Sequence, residues 1–159
     1  MNKQLNIKVR AAISEDAAAI KKILDVYVVQ QIVLERSEED IRSYIKNFVV
    51  AEIDGVCQGC CAVRDFGNNL LEVRSLAVNA DLIGAGIGKK MVNFIIERLK
   101  AERPQFRLFA LTLRPDFFQK NGFKIVEMSL FPEKIWSDCA KCPKKDCCDE
   151  VAVLMEHGY

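Results

Sequence analysis

Histidine is almost missing from this sequence: the 159 residues hold one, His157, beside the C-terminal end. A Ser-His or Cys-His nucleophilic engine in the interior of the chain is thereby excluded, and so is a metal site built from several imidazoles. An excess of one charge is missing too, because Lys and Arg number 23 against 22 Asp and Glu, a net charge of +1. Such a balance offers no broad basic field to nucleic acid and none to an anionic membrane surface. No apolar run approaches the ~20 residues of a membrane span. The opening "MNKQLNIKVRAA" lacks the apolar core of a secretion signal, so a cytoplasmic location is expected. Neither repeats, low-complexity stretches nor a linker divide the chain, and a single domain over 1–159 is expected.

Cysteine is not scarce, with seven in the chain. An odd number without a secretion signal reads as reduced thiols. Cys57, Cys60 and Cys61 lie in an apolar run and read as small buried strand residues. Cys139, Cys142, Cys147 and Cys148 crowd the polar stretch "WSDCAKCPKKDCCDE". Cys-x2-Cys is a zinc-ligand spacing, but the adjacency of Cys147 and Cys148 strains joint ligation and no histidine completes the set. Structural zinc is the lesser reading there, and no metal is expected. Trp136 is expected to anchor this stretch in the core.

Apolar periodicity and turn residues give the elements. "IKVRAA" alternates like a strand, and "SEDAAAIKKILDVYVV" follows at helical spacing with Ser14 or Asp16 as cap. In "RSEEDIRSYIKNF", Ser37 precedes acids in the first turn of a second helix. "FVVAEI" and "VCQGCCAVR" flank Asp54-Gly55, a hairpin signal, and the asparagines at 68–69 turn the chain into "LLEVRSLAV". "IGKKMVNFIIERLKAE" is a helix stopped by Pro104, and "FRLFAL" is a strand. "PDFFQKNGF" is a short helix opened by proline and closed by Gly122. "KIVEMSL" reads as a strand, 131–149 as irregular, and "EVAVLM" as the last strand. The order β-α-α-β-β-β-α-β-α-β-β implies an α/β (α+β) fold, a mixed sheet with helices on its faces.

Three alternating glycines, Gly84, Gly86 and Gly88, separate the strand "LLEVRSLAV" from the helix after it. A Walker A loop needs four residues between its glycines and then Lys-Ser/Thr; here three intervene and Lys90 replaces the hydroxyl. A dinucleotide fingerprint would need glycine at position 89, which is lysine. The remaining reading is a strand, a turn and a helix whose first N–H groups can hold an anion.

"LAVNADLIGAGIGKKMV" resembles the acetyl-CoA-binding motif of the GNAT superfamily of N-acetyltransferases, and "FFQKNGF" that family's later helix with its closing Gly-Phe. The resemblance covers nearly the whole chain. It implies a mostly antiparallel sheet splayed between its fourth and fifth strands, with acetyl-CoA as co-substrate. Backbone groups of Leu76, Ala77 and Val78 would follow the pantetheine arm. Those of Gly84, Ala85, Gly86, Ile87, Gly88 and Lys89 would cradle the pyrophosphate. Ile83 departs from the usual Gln/Arg, a contact made largely by backbone. Glu72, six residues before Val78, stands where histone-acetylating relatives carry a general base, and the Leu76 amide would polarise the thioester carbonyl. Strand alternation would put Glu72, Arg74, Leu76 and Val78 on one face. Phe118, beside the cofactor, stands where many relatives carry the tyrosine that protonates the leaving thiolate.

A narrower resemblance, through "LERSEEDIRSYIKNF", "EVRSLAV" and "FALTLRPDFFQKNGF", is to the acetyltransferase domain of N-acetylglutamate synthases, which also lack the late tyrosine. It implies acetylation of the α-amine of L-glutamate, in arginine biosynthesis, by a short stand-alone form. Arg36, Ser37, Arg74, Ser75 and Arg114 would then bind the substrate. The partner expected is a small molecule, with neither nucleic acid nor membrane, and a homodimer is left open. The rival readings are an acetyltransferase for another amino acid, small amine or protein N-terminus, and a non-catalytic acyl-CoA-binding module.

Overall fold

A computed structural model describes residues 6–30, 35–127 and 150–159. Cys139, Cys142, Cys147, Cys148, Trp136 and the end of "KIVEMSL" lie outside the described residues. Seven strands form one sheet in the order β1-β2-β3-β4-β5-β7-β6. They are β1 Ile7–Ala11, β2 Phe48–Ile53, β3 Val56–Asp65, β4 Leu70–Val78, β5 Phe106–Thr112, β6 Lys124–Val126 and β7 Val151–His157. The helices are α1 Ala17–Val29, α2 Glu38–Ser43, α3 Ile87–Glu102 and α4 Pro115–Lys120. Strand β4 runs parallel to β5, whereas β1–β2, β2–β3, β5–β7 and β6–β7 are antiparallel. The expected mixed, mostly antiparallel sheet is the observed one.

The chain divides into two compact units, Met1–Val63 with Arg74–Arg98, and Arg64–Val73 with Leu99–Tyr159. In the first, Ala17, Ile20 and Leu24 of α1 and Ile41 of α2 bury with Phe48, Val50, Cys60, Ala62 and Ala77. The alternate strand residues Phe48/Val50 and Cys60/Ala62 make this one face of the sheet. In the second, Leu70, Phe109, Ala152 and Leu154 form a smaller cluster joined by Phe66, Leu111 and Val126.

Local chemistry explains the turns. Asp54 and Gly55 take φ of +52° and +80°, the left-handed pair that a two-residue hairpin requires. Asn68 and Asn69 do the same at +54° and +60°. Pro115 opens α4, and Gly122 follows its end at φ +94°.

Asp16 stands at the N-cap position of α1, as one of the two expected residues, but its side chain makes no capping bond to the helix. A 3-10 turn, Ser14–Asp16, precedes the helix, and the Asp16 carboxylate points back. It accepts from Ile13 N at 2.8 Å and from both Nη atoms of Arg10 at 2.8 and 2.9 Å. Arg10 Nε reaches Glu52 at 3.1 Å. The guanidinium of Arg10 holds the Asp16 carboxyl below its ordinary range, against the opposing effect of burial. A depressed carboxyl stabilises the fold above its unfolded pKa, and that contribution disappears as pH falls through the folded value. Asp16→Asn is therefore expected to cost about 2 kcal/mol at neutral pH, the range of a charge-assisted bond. The gap from the parent should close in thermal melts taken progressively below the ordinary aspartate pKa, and a gap constant with pH would refute the linkage.

Candidate active site

Strand β4 delivers the chain to a glycine loop and then to α3. Gly84 and Gly86 have φ of +92° and +86°. A Cβ built at either would meet nothing within 4 Å. Both positions therefore need glycine for backbone conformation, with open space beside them. The Ala85 N–H closes a turn onto Leu82 O at 3.1 Å, and Lys90 N–H makes the first helical bond to Gly86 O at 3.1 Å. Of the six residues expected to cradle an anion, Ala85 thus spends its N–H internally. Gly86, Ile87, Gly88 and Lys89 begin the helix with N–H groups that no described carbonyl takes.

Gly59 of β3 packs this turn onto the sheet. A Cβ on it would come within 3.0 Å of Met91 Cε, 3.1 Å of Ile87 Cγ2 and 3.3 Å of Ala77 O. The sequence reading passed over this residue, although a glycine inside a strand signals just such a close approach.

Strand β4 is not a regular ribbon. Ser75 takes φ +54° in its middle, a left-handed conformation that a serine adopts only at a cost. The alternation expected to place Glu72, Arg74, Leu76 and Val78 on one face therefore cannot be carried past Ser75. Ala77 enters the core under α1 and α2. Among the described residues, pairing of β4 with β5 covers Leu70, Glu72 and the residue between them, opposite Arg107–Phe109, and ends there. Past that point the strand end is tied on its other edge: Asn79 N donates to Gln58 O, and Asn79 Nδ2 to Gln58 Oε1, both at 2.8 Å.

Arg36 is held before α2. Its Nε donates to Asp40 at 2.6 Å, and its Cζ lies 5.1 Å from the centre of the Phe48 ring and 5.7 Å from that of Tyr44. Its backbone O accepts from Lys21 Nζ at 3.0 Å, so both the main chain and the side chain of Arg36 are tied down. Ser37 has a structural task, since its Oγ caps α2 by accepting from Asp40 N at 3.0 Å. Arg74, Ser75 and Leu76 are half-buried on β4. These residues and the glycine loop belong to the first unit.

Glu72, Arg114 and Phe118 belong to the second. Glu72 is 3% exposed, and strand period places it on the face of Leu70, whose cluster contains Phe109. Arg114 is exposed ahead of α4, where its N–H is taken by Thr112 Oγ1 at 2.8 Å. Phe118 is buried with Phe117 and Phe123 packed edge-on, each centroid 5.1 Å away.

The thiols of β3 supply no nucleophile. Burial raises the pKa of Cys57, pushes Cys61 up to about 12 and Cys60 well above the ordinary value. Among the described residues no group of three or more His, Cys, Asp or Glu could hold a metal, and no helix is long and apolar enough to cross a membrane.

The acetyltransferase (GNAT) domain profile matches residues 45–125, from just before β2 into β6. This chain belongs to the GNAT acetyltransferase family. An uncharacterized N-acetyltransferase of Chlorobaculum tepidum is 41% identical over 92% of this chain and 94% of its own length. An amino-acid acetyltransferase of Mycobacterium tuberculosis is 33% identical over 75% of this chain and 69% of its own. Among solved structures, N-acetylglutamate synthase from Neisseria gonorrhoeae, complexed with coenzyme A and N-acetyl-glutamate, superposes with a TM-score of 0.83 at 25% identity. That likeness covers 97% of this chain and 36% of the synthase. The family makes the chain an acyltransferase of the N-acetyltransferase type.

Proposed function

We propose that the chain acts as one catalytic domain transferring the acetyl group of acetyl-CoA to the α-amine of L-glutamate. The observation that carries the choice of acceptor is Arg36, a guanidinium fixed by two aromatic rings and Asp40 before the reaction begins. A planar fork already immobilised matches a carboxylate at little entropic cost. The likeness to proteins named amino-acid acetyltransferase supports the same acceptor class. Arg74, Arg114, Ser37 and Ser75 are the further residues that we assign to the substrate, on the resemblance to N-acetylglutamate synthases.

The pyrophosphate of acetyl-CoA would rest on the N–H groups of Gly86 through Lys89, and the pantetheine arm along Leu76, Ala77 and Val78. An extended, amide-bearing arm can pair with the backbone of a strand as another strand would. Glu72 would receive the proton of the glutamate ammonium, directly or through water. The neutral amine then attacks the thioester carbonyl, whose oxygen takes the negative charge and is met by the Leu76 N–H. Collapse breaks the C–S bond and releases the CoA thiolate, and the attacking nitrogen loses its second proton to solvent to give the neutral amide. Phe118 carries no hydroxyl to protonate the thiolate, so that proton comes from solvent.

A free-thiol assay with acetyl-CoA and a panel of amines tests the reading. Glutamate should be acetylated fastest, and a faster unrelated amine would overturn the acceptor while leaving the acetyltransferase chemistry. Gly86→Val should weaken acetyl-CoA binding about ten-fold or more in calorimetry, the loss expected for one or two charge-assisted bonds. At φ +86° valine also strains the loop, so a thermal melt accompanies the titration. Parental affinity in that variant would remove the loop from the cofactor site.

A further inference from the structure

Tyr27, on α1, has a contact that no local pattern explains. Its hydroxyl donates to the backbone carbonyl of Val78, 51 residues away, at 2.5 Å, while its ring packs against the core under α1 and α2. The edge of β4 that this carbonyl occupies can be read from its neighbours. Asn79 N–H bonds to Gln58 O, and Ala77 O lies against Gly59, so residues 77 and 79 turn their backbone groups toward β3. In an extended chain Val78 must turn its own groups the other way, to the edge where, among the described residues, the ladder ends at Glu72. The helix thus sends a donor to the open edge of β4.

The geometry points to Tyr27 as a positioning residue for the acyl donor, satisfying the Val78 carbonyl so that the pantetheine arm can cover it. The inference rests on the proposed placing of that arm along Leu76–Val78. A carbonyl on an open edge is hydrated in the free protein, and an arm laid over it strips the water away. Without a donor of its own, the protein would bind the arm over an orphaned acceptor, a penalty paid in the complex and not in the free fold. With the Tyr27 hydroxyl in place, the arm needs no N–H at that point. Its pairing is left to the Leu76 groups and the Val78 N–H, which favours one register.

Two truncated donors separate this role from a merely structural one. S-acetyl-N-acetylcysteamine carries one amide beyond the thioester; acetyl-pantetheine carries two and reaches further along the strand. Both are turned over by the full chain and by Tyr27→Phe, with the acceptor amine that the parent uses best. The parent should favour acetyl-pantetheine in kcat/KM. Tyr27→Phe should lose about five-fold or more of that preference, the worth of one ordinary hydrogen bond. Its turnover of the shorter donor should stay at the parental level, showing an intact site. A variant that keeps the parental preference overturns the role of Tyr27 and leaves the arm in place. Equal losses with both donors would make the hydroxyl a general support of β4 and equally overturn the proposal. A parent with no preference between the donors would remove the arm from β4, and this inference with it.

Discussion

Glu72→Gln should lower kcat by about 10² to 10⁴, the range observed when a general base is lost. Glutamine matches the size and shape of the side chain and can still accept a hydrogen bond, but it cannot take the ammonium proton. Glu72 is 3% exposed on a strand paired with β5, so the substitution changes no surface charge and leaves volume almost untouched. The KM for acetyl-CoA should hardly move, because the loop and the strand end that would bind it are not altered. A series of rates against pH is the second readout, since removal of the base should flatten the limb that reports its ionisation. Near-parental turnover with an unchanged profile would return Glu72 to the status of a buried strand residue.

The second large effect concerns the acceptor. Arg36→Ala should raise the KM for glutamate about ten-fold or more, since a lost bond to a charged group costs about 1.5–3 kcal/mol and a decade corresponds to about 1.4. The KM for acetyl-CoA should stay where it is. The side chain is 21% exposed, and its bond to Asp40 links the residue ahead of the Ser37 cap to the first turn of α2. Arg36→Lys is the informative companion, because it keeps the charge and loses the fork. If planar recognition of a carboxylate is the role, lysine should recover little of the affinity. Full recovery by lysine would reduce Arg36 to a source of positive potential, and an unaltered KM in both variants would take it out of the acceptor site.

The site was legible in the sequence where its chemistry is local. The glycine loop declared itself because Gly84 and Gly86 are needed for left-handed φ, and helix α3 begins where the apolar period resumes. Ser37 showed itself through the acids that follow a capping hydroxyl, although the structure employs it to hold Asp40 N. Gly59 was visible as a glycine inside a strand, but what it accommodates is set by α3 residues 28 and 32 positions further along the chain. Ser75 gave no signal. Serine carries no preference for a left-handed conformation in mid-strand, so the break in the pleat of β4 has to be imposed by the surroundings.

By itself the sequence determined the element order, the hairpin at Asp54-Gly55 and the extent of α3. Each follows from propensities and periods that act over a few residues, where neighbours in the chain are neighbours in space. Only the tertiary structure decided how far β4 pairs with β5 among the described residues, that Tyr27 reaches Val78, and that the Asp16 carboxylate turns to Arg10 and Ile13 and not to α1. Those contacts join residues from different elements, and their partners are selected by packing. A tyrosine hydroxyl or an aspartate oxygen bonds whichever group the fold brings within about 3 Å, and residue type alone does not say which group that will be.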